Sequence, residues 1–383
     1  MNNLILHSKN IIIILKSFVL GGAEKQALFL AQHLQNNRNC NVYIYAYIKS
    51  PNTTLFYKEC EKYKLKNLYI VQNPLSAAGR FKYLKRRIKI TLFGLKLRKH
   101  KPDIIIPYLN PPSIIASLCY KIAGAQITFW HHRGPDYYRN DKLESIAVKK
   151  CPLFIANSPD GKNELLAVLN PSQKSTCFTP NFSTVNKINH KKNIAELDKI
   201  QEKIIIGMIG HFRVQKLQLL LTRAFQNILN NNIHLVLVGN IYESKDEPSN
   251  YKTVLSFIKS KKIEDKVTIL HNKNAQDILP YLDIGVLLSK KEGMPNVIME
   301  YMAYGLPVLS TKHLGCVALL GNDYPFYVEN NNDVKDITFK LELLVKDKDL
   351  RNKLGSQNKQ KLQKDFLIEA YLDKLATLIN NHL

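Results

Sequence analysis

The chain has 383 residues, too many for one ordinary domain and enough for two of about 150–200 residues each. Apolar residues make up 45% of the chain and charged residues 22%, which excludes wholesale disorder. The 55 Lys and Arg against 31 Asp and Glu give a net charge of +24, so the expected partner is anionic: a nucleic acid, a membrane or a phosphorylated ligand.

The positive charge is concentrated in the first half of the chain. Residues 1–185 carry 27 basic and 9 acidic side chains, a net charge of +18, whereas residues 186–383 carry 28 and 22, a net charge of +6. The six cysteines show no zinc-binding spacing and are predicted to be reduced cytosolic thiols. No window reaches the roughly 18 apolar residues of a membrane span, so none is predicted.

Short β-branched runs alternate with helical patterns in both halves, which predicts parallel sheets with helices on both faces. The strands predicted in the first half are Ile11–Leu15, Asn41–Tyr47, Asn67–Val71, Asp103–Pro107, Gln126–Trp130 and Leu153–Ala156. Those predicted in the second half are Lys203–Ile209, His234–Val238, Lys266–Leu270, Ile284–Leu288, Pro307–Ser310 and Pro325–Val328.

A basic segment between the third and fourth strands accounts for much of the first-half charge. Arg80–Lys101 contains ten Lys or Arg and no acid. Its apolar residues fall on one helical stripe, and its basic residues lie largely off that stripe. The stripe is Phe81, Leu84, Ile88 and Leu92 or Leu95, and the basic candidates are Lys82, Lys85, Arg86 and Lys89. This pattern is typical of a helix on an anionic membrane, and equally of a packed helix whose polar face is cationic.

The strand pattern pauses over Asn181–Lys203, which is rich in Asn, His and Lys and is predicted to be a linker. The expected α/β architecture is therefore two doubly wound domains, residues 1–185 and 186–366, facing each other across a cleft. In such sheets ligands bind at the carboxyl ends of the strands, so the loops after strands should carry the chemistry.

Two such loops in the second half carry charged residues. Gly210–Lys216 follows a strand and places Arg213 and Lys216 three residues apart near a helix N-terminus, a good pair for a diphosphate or else two solvated surface residues. Glu292 and Gly293 follow another strand, and Glu300 stands eight residues after Glu292 on the next helix. Two carboxylates so placed can bind two separate sets of hydroxyls, most simply those of sugars.

These loops resemble glycosyltransferase family 4 (glycosyl transferases group 1), retaining enzymes of the GT-B fold with two Rossmann-like domains. Ser289–Val308 is similar to the family's E-x7-E region, and Gly210–Lys216 to its G-x-F-R-P-x-K loop. Other similarities follow in the right order over nearly the whole chain: Gly21–Lys25 to G-G-A-E-R, Lys101–Asp103 to K-P-D, Ala156–Ser158 to A-N-S, Pro180–Asn181 to P-N and Leu235–Gly239 to L-V-L-V-G.

The resemblance implies roles for particular residues. Arg213 and Lys216 should hold the leaving diphosphate, Glu300 the ribose hydroxyls and Glu292 the donor sugar. A family histidine follows the strand Gln126–Trp130; both His131 and His132 stand there, and His132 registers better with the following loop. The further donor-binding residues implied are Gly22, His131, Gly210, Gly293, Met294, Pro295 and Asn296.

The resemblance also implies a reaction and a setting. The expected enzyme is a retaining hexosyl- or N-acetylhexosaminyltransferase that uses a UDP- or GDP-linked sugar and needs no metal or other cofactor. The expected acceptor is a lipid-linked oligosaccharide of a bacterial O-antigen, capsule or lipooligosaccharide, at the inner face of the cytoplasmic membrane. A C-terminal helix, predicted over Ala370–Leu383, should cross back onto the first domain, so that residues 1–185 with 367–383 bind acceptor and 186–366 bind donor.

Two other functions fit parts of the sequence. A nucleotide-sugar 2-epimerase of similar fold would need additional carboxylate and histidine groups around C2 of the sugar, which the sequence does not place. A basic nucleic-acid-binding protein would account for the net charge, but no aromatic RNA-binding motif or recognition-helix module is evident. Nucleic acid is therefore the least expected of the anionic partners.

Overall fold

A computed structural model describes residues 5–133, 138–171, 175–185, 191–241, 249–330 and 333–383. The chain divides into two compact units, Met1–Thr184 with Ile368–Leu383, and Val185–Leu367. The boundary falls within the predicted linker Asn181–Lys203, of which residues 186–190 lie outside the described residues. The assignment of acceptor to the first unit and donor to the second stays a prediction.

Strands and helices alternate along the first unit. The strands are β1 (Asn10–Ser17), β2 (Asn41–Ile48), β3 (Leu68–Ile70), β4 (Ile104–Pro107), β5 (Ile127–Thr128), β6 (Trp130–His132), β7 (Phe154–Ala156) and β8 (Thr176–Phe178). The helices are α1 (Gly22–Asn37), α2 (Thr54–Lys62), α3 (Lys82–Arg98), α4 (Asn110–Ala123), α5 (Lys142–Lys150), α6 (Pro159–Leu169) and, from the C-terminus of the chain, α15 (Ile368–Asn380).

The described strands of the first unit form two parallel sheets. One has the order β3-β2-β1-β4-β5 and the other the order β6-β7-β8. The central strand is buried from Ile11 to Leu15, because helices cover both faces of the sheet. This is why the run of four isoleucines shows no alternation of apolar and polar residues.

The strand predicted as Gln126–Trp130 is wrong in its extent. The chain forms β5 in the larger sheet, leaves it at Phe129, and continues as β6 in the smaller sheet, where Trp130 pairs with Phe154. Both histidines consequently lie in β6 and not in the loop after a strand. Residues 127–130 are all buried, and Thr128 is the one polar residue among them, so no break in the sequence marks the change of sheet.

The second unit repeats the alternation around a single sheet. Its strands are β9 (Ile204–Ile209), β10 (Ile233–Val238), β11 (Val267–Leu270), β12 (Ile284–Leu287), β13 (Val308–Thr311) and β14 (Tyr327–Val328). Its helices are α7 (Ala195–Asp198), α8 (Gln218–Asn227), α9 (Tyr251–Ser260), α10 (Ala275–Ile278), α11 (Asn296–Ala303), α12 (Leu314–Leu320), α13 (Val334–Lys346) and α14 (Lys348–Asp365).

The described sheet of the second unit has the order β11-β10-β9-β12-β13-β14, with all pairs parallel. The strand order reverses direction between β9 and β12. Loops that leave the carboxyl ends of two strands at such a point diverge and leave a crevice between them. The Gly210–Lys216 loop follows β9 and the Glu292 loop follows β12, so both predicted loops leave the sheet at this position.

Helix α15 belongs to the first unit although it ends the chain. Its buried residues join the same hydrophobic cluster as β1 and α1, and the Tyr371 ring packs against Phe182 with a centroid separation of 4.8 Å. Glu369, at the amino end of α15, forms an ion pair with Arg38, and its carboxylate also lies 2.8 Å from Nε2 of His33. The C-terminal segment therefore contributes part of the first unit's core.

Candidate active site

The loop Gly210–Lys216 is held across the ends of β9 and β10 by backbone bonds. The Gly210 N–H donates to the Val238 carbonyl (2.8 Å), and the Phe212 N–H to the Asn240 carbonyl (3.0 Å). A Cβ atom on Gly239 would lie 2.1 Å from the Gly210 carbonyl oxygen. Gly239 is therefore required for the loop to pass so close to the end of β10.

Two polar side chains that the sequence analysis missed fix the same loop. Gln218, at the start of α8, is buried and donates to the carbonyls of Gly210 (3.3 Å) and His211 (3.1 Å). Asn250 donates to the carbonyl of Lys216 (2.6 Å) and to the amide oxygen of Gln218 (2.8 Å). Neither residue is part of a recognisable motif, because only the folded loop brings them next to its carbonyl groups.

Backbone pairing joins this loop to the segment that follows β12. Lys216 and Ser289 form an antiparallel bridge, flanked by bonds from the Leu217 N–H to the Leu288 carbonyl (3.0 Å) and from the Lys290 N–H to the Gln215 carbonyl (2.9 Å). The two predicted donor-binding loops are thus one connected structure.

This pairing brings Lys216 and Glu292 into direct contact. The Lys216 ammonium donates to the Glu292 carboxylate, and the two side chains are 21% and 14% exposed. The family resemblance assigns Lys216 to the diphosphate and Glu292 to the sugar of a donor, and it does not predict that the two side chains pair. Arg213 lies in the same loop and is half-buried.

Helix α11 carries the second predicted carboxylate. It begins at Asn296, directly after Pro295, and Glu300 is 6% exposed within it. Met294 is also buried. The carbonyl of Gly293 lies against the start of α12, where a Cβ atom on Gly315 would stand 1.5 Å from it. Gly315 is thus a further position, missed from the sequence, that the geometry of this loop requires.

Tyr301 attaches α11 to the sheet. β9 and β12 pair directly at Ile206 and Gly207, and beyond that point the Tyr301 hydroxyl lies between them. It accepts a bond from the Ile209 N–H (3.0 Å) and lies within donating distance of the carbonyls of Gly207 (3.3 Å) and Val286 (3.2 Å). The ring fits because residue 285 is glycine: a Cβ atom there would lie 2.5 Å from it.

A buried thiol next to this site is chemically inert. Burial raises the pKa of Cys316 to about 12, and the charge of Glu292 acts in the same direction. The thiol is therefore protonated at neutral pH and does not act as a nucleophile.

The two histidines of the first unit have different environments. Nδ1 of His131 donates to the Pro107 carbonyl (3.0 Å), since a carbonyl can only accept, and Nε2 then accepts from Arg133 (2.8 Å). Burial, with the Arg133 guanidinium beside it, holds the pKa of His131 well below its usual range. His131 is thus a neutral ring with both nitrogens bonded inside the unit.

His132 remains the better candidate for contact with a substrate. Its Nδ1 lies 3.3 Å from the Tyr138 hydroxyl, and its ring packs against the first turn of α6. A Cβ atom on Gly161 would lie 2.6 Å from Cδ2 of the ring. Gly22, the first residue of α1, is exposed after β1.

Arg133 is the residue of the first unit that sequence reasoning missed. Its guanidinium donates to Asn181 (2.6 Å) and Gln26 (3.2 Å), and lies 4.9 Å from the centre of the Tyr108 ring. Asn157 also donates to Asn181 (3.2 Å). The A-N-S and P-N motifs therefore meet in one polar network around Arg133, whereas the sequence showed them only as separate motifs.

The four basic candidates of α3 differ in their contacts. Lys82 and Lys85 are exposed. Arg86 forms an ion pair with Asp141 (3.4 Å), and Lys89 donates to the Ser76 carbonyl (2.7 Å). Lys82 and Lys85 are therefore the better placed of the four to meet an external anion.

No metal site is evident in the described ranges: nowhere in them do three His, Cys, Asp or Glu side chains converge as ligands. The independence of the enzyme from metal stays a prediction. No helix of the described residues combines the length and the apolar character needed to cross a membrane.

Comparisons with known proteins agree with the geometry of the second unit. The model of the family described as "Glycosyl transferases group 1" matches residues 189–361. These residues include both predicted donor-binding loops, α11 and the strands that carry them, so the match falls on the candidate site itself.

Relatives and solved structures extend the similarity over both units. The capsular polysaccharide biosynthesis glycosyltransferase CapM of Staphylococcus aureus is 22% identical over 325 residues, 79% of this chain and 82% of that protein. The UDP-Gal:alpha-D-GlcNAc-diphosphoundecaprenol alpha-1,3-galactosyltransferase of Escherichia coli is 25% identical over 313 residues, 76% of this chain and 78% of that protein. The structure of Anabaena HepE in complex with UDP and glucose superposes with a TM-score of 0.76 at 16% identity, covering 97% of this chain and 99% of its own, which shows a shared fold.

Proposed function

We propose that this chain, which belongs to the group 1 glycosyltransferases and has the GT-B fold, moves a sugar from a nucleotide diphosphate sugar to a hydroxyl group with retention of the anomeric configuration. The observation that carries the proposal is the connected pair of loops at the carboxyl ends of β9 and β12. These loops hold Lys216 against Glu292, and Arg213 stands three residues before Lys216 in the same loop.

The cations serve the leaving group. As the bond between the anomeric carbon and the diphosphate oxygen breaks, negative charge grows on that oxygen, so Arg213 and Lys216 stabilise the transition state more than the ground state. Gln218 and Asn250 fix the backbone of their loop, which reduces the reorganisation needed at that moment.

The carboxylates serve orientation. Glu300, on a helix bonded to the sheet through Tyr301, binds the ribose hydroxyls, and Glu292 binds the hydroxyls of the transferred sugar. Holding the donor at both ends fixes the anomeric carbon relative to the acceptor. The proposed role of His132 is contact with the donor sugar. His131 belongs to the network around Arg133.

The proposed donor is a UDP- or GDP-linked hexose or N-acetylhexosamine, and no metal or other cofactor is required. The proposed acceptor is a lipid-linked oligosaccharide of a bacterial surface glycan. The relatives support this, since one is named for capsular polysaccharide biosynthesis and another for a diphosphoundecaprenol acceptor.

Helix α3 supports a peripheral site of action on the inner face of the cytoplasmic membrane. Its buried residues, Ile90, Phe93, Gly94 and Leu97, face the unit. The predicted stripe lies on the opposite side at about 100° per residue, and is exposed: Phe81 by 63%, Leu84 by 55%, Ile88 by 51%, Leu92 by 59% and Leu95 by 49%.

An exposed apolar stripe flanked by lysines fits an anionic lipid surface. The apolar side chains can enter the headgroup region while the ammonium groups meet lipid phosphates. If the helix were an ordinary packed helix, its apolar stripe would be covered, and the sequence alone left that alternative open. The exposure of the stripe favours the membrane.

The donor is tested by a thermal-shift panel of UDP-, GDP- and ADP-sugars. One nucleotide class should raise the melting temperature, because a ligand at a hundred times its Kd stabilises the native state by about 2.7 kcal/mol.

Transfer to a lipid-linked acceptor is then followed with that donor, and NMR of the product identifies the anomer. Lys216→Ala and Glu300→Ala should each lower kcat by about 100-fold or more, with unchanged circular dichroism.

Several results would contradict the proposal. Wild-type rates in both variants would show that Lys216 and Glu300 are not needed for transfer. A product with inverted anomeric configuration would show that the enzyme is not a retaining transferase. Rapid conversion of the nucleotide sugar without any acceptor would indicate an epimerase.

A further inference from the structure

The ion pair between Lys216 and Glu292 is built by the backbone around it. The antiparallel bridge at Ser289 sets the register of the two loops, and both side chains are largely buried. The lysine proposed for the diphosphate and the carboxylate proposed for the sugar therefore neutralise each other in this structure. Any anion that approaches Lys216 also approaches Glu292.

We infer that Glu292 makes the site select a nucleotide sugar over the free nucleoside diphosphate. The inference rests on the proposed function, in which Lys216 binds the diphosphate. It assigns to Glu292 a role in specificity and product release, in addition to its contact with the sugar.

The physical reason is competition for one cation. A free diphosphate must share Lys216 with Glu292 and is repelled by the carboxylate, because like charges a few ångströms apart interact strongly in a half-buried site. A nucleotide sugar meets the same charges, but its sugar hydroxyls donate hydrogen bonds to the carboxylate and offset that repulsion. Glu292 thus weakens the binding of the free diphosphate and supports the binding of the donor.

The same competition acts after the transfer step. Once the sugar has left with the acceptor, no hydroxyl remains on Glu292, and the carboxylate pairs again with Lys216. The nucleoside diphosphate then loses its main cation and dissociates more readily. Product release sets kcat in many enzymes, so this competition is expected to raise turnover.

The test compares two ligands on one isosteric variant. Isothermal titration calorimetry measures the Kd of UDP, GDP and the matching nucleotide sugar on the wild type and on Glu292→Gln. Removing the negative charge should tighten binding of the nucleoside diphosphate by about tenfold, and binding of the nucleotide sugar should stay unchanged or weaken. Product inhibition by the diphosphate should increase in parallel.

A matched control removes one carboxylate elsewhere in the same unit. Glu342 pairs with Lys346 on the exposed face of α13, so Glu342→Gln changes the net charge equally. It should leave both Kd values unchanged. A tightening in the control would assign the effect to net charge and overturn the inference.

A second variant separates this inference from the proposed function. If Lys216→Ala binds the diphosphate as well as the wild type does, the assignment of Lys216 fails, and with it the basis of both. Two results would overturn the inference alone, provided that Lys216→Ala weakens binding of the diphosphate. In one, Glu292→Gln leaves the Kd of the diphosphate unchanged. In the other, Glu292→Gln lowers the Kd of the diphosphate and that of the nucleotide sugar equally.

Discussion

At the scale of single residues, the structure distinguishes side chains that are adjacent in the sequence. His131 and His132 are neighbours in one strand, yet both ring nitrogens of His131 are bonded within the unit, whereas His132 packs on Gly161 at the start of α6. The alternation of side chains along a strand sends the two rings to opposite faces. Nδ1 of His132 lies 3.3 Å from the Tyr138 hydroxyl, so the two neighbouring rings have separate sets of partners, which the sequence does not show.

The first prediction concerns the position of the His132 ring. Gly161→Ala places a methyl group 2.6 Å from the present position of Cδ2, so the ring must move while the histidine remains. We expect transfer activity to fall toward that of His132→Ala. The melting temperature should change little, because the helix propensity of alanine, about 1 kcal/mol better than that of glycine, offsets the cost of displacing the ring.

The control for this prediction is the exposed Asn163 on the same helix. Asn163→Ala should keep wild-type activity and a similar melting temperature. If Gly161→Ala is as active as the wild type, the position of His132 does not matter for the reaction.

At the scale of elements, the separation of β9 and β12 determines the site. The two strands pair over two residues and then diverge, and a side chain from α11 fills the gap. This arrangement depends on the pairing of a large residue with a small one, Tyr301 with Gly285. Both strands and the helix were predicted from the sequence, but the size match was not, since the two residues are sixteen positions apart and belong to different patterns.

The second prediction tests this arrangement with Tyr301→Phe. Loss of the hydroxyl leaves the Ile209 N–H and two carbonyls without this partner, which should cost about 1–3 kcal/mol of stability. Because Ile209 adjoins the Gly210–Lys216 loop, the KM for the donor should also rise several-fold.

The matched control is Tyr324→Phe. In the wild type the Tyr324 hydroxyl accepts a hydrogen bond from the N–H of Val308 (2.8 Å), the first residue of β13. It should lower the melting temperature comparably and leave the donor KM unchanged. Equal effects of both variants on KM would mean that Tyr301 acts only through general stability.

At the scale of the whole molecule, the net charge of +24 divides into parts with different roles. In the second unit, Lys216 of the loop after β9 pairs with Glu292 of the loop after β12. In the first unit, α3 carries seven Lys or Arg and no acid over Lys82–Arg98, beside an exposed apolar stripe. The charge that indicated an anionic partner therefore has its densest cluster on α3, the surface that we propose binds a lipid bilayer.

The third prediction is that the protein sediments with vesicles containing phosphatidylglycerol and not with phosphatidylcholine vesicles. Replacing Lys82, Lys85 and Lys96 by Gln should weaken binding on the order of 100-fold, since each lysine contributes about 1 kcal/mol. Replacing Leu84 and Ile88 by Ser should also weaken it, because the apolar side chains enter the lipid.

A control with the same change of charge uses exposed lysines of the second unit, Lys259, Lys261 and Lys262. Replacing these three by Gln should leave vesicle binding intact. Equal loss in both triple variants would assign binding to net charge and not to α3. Unchanged binding of the α3 variants would exclude this helix as the docking surface.

The sequence by itself determined the α/β class, nearly all the strands and the positions of the two loops after β9 and β12, for which donor binding is proposed. A continuous apolar run that ends in Gly, Lys or Glu is a local signal. It indicates a buried strand followed by a polar loop at any position in a parallel sheet. It also determined that α3 has an apolar stripe. Only the tertiary structure decided the rest: that the stripe is exposed, that β5 and β6 belong to different sheets, that Lys216 pairs with Glu292, and that Arg133 joins distant motifs. Each of these depends on which segments lie side by side, and a linear pattern of residues does not contain that information.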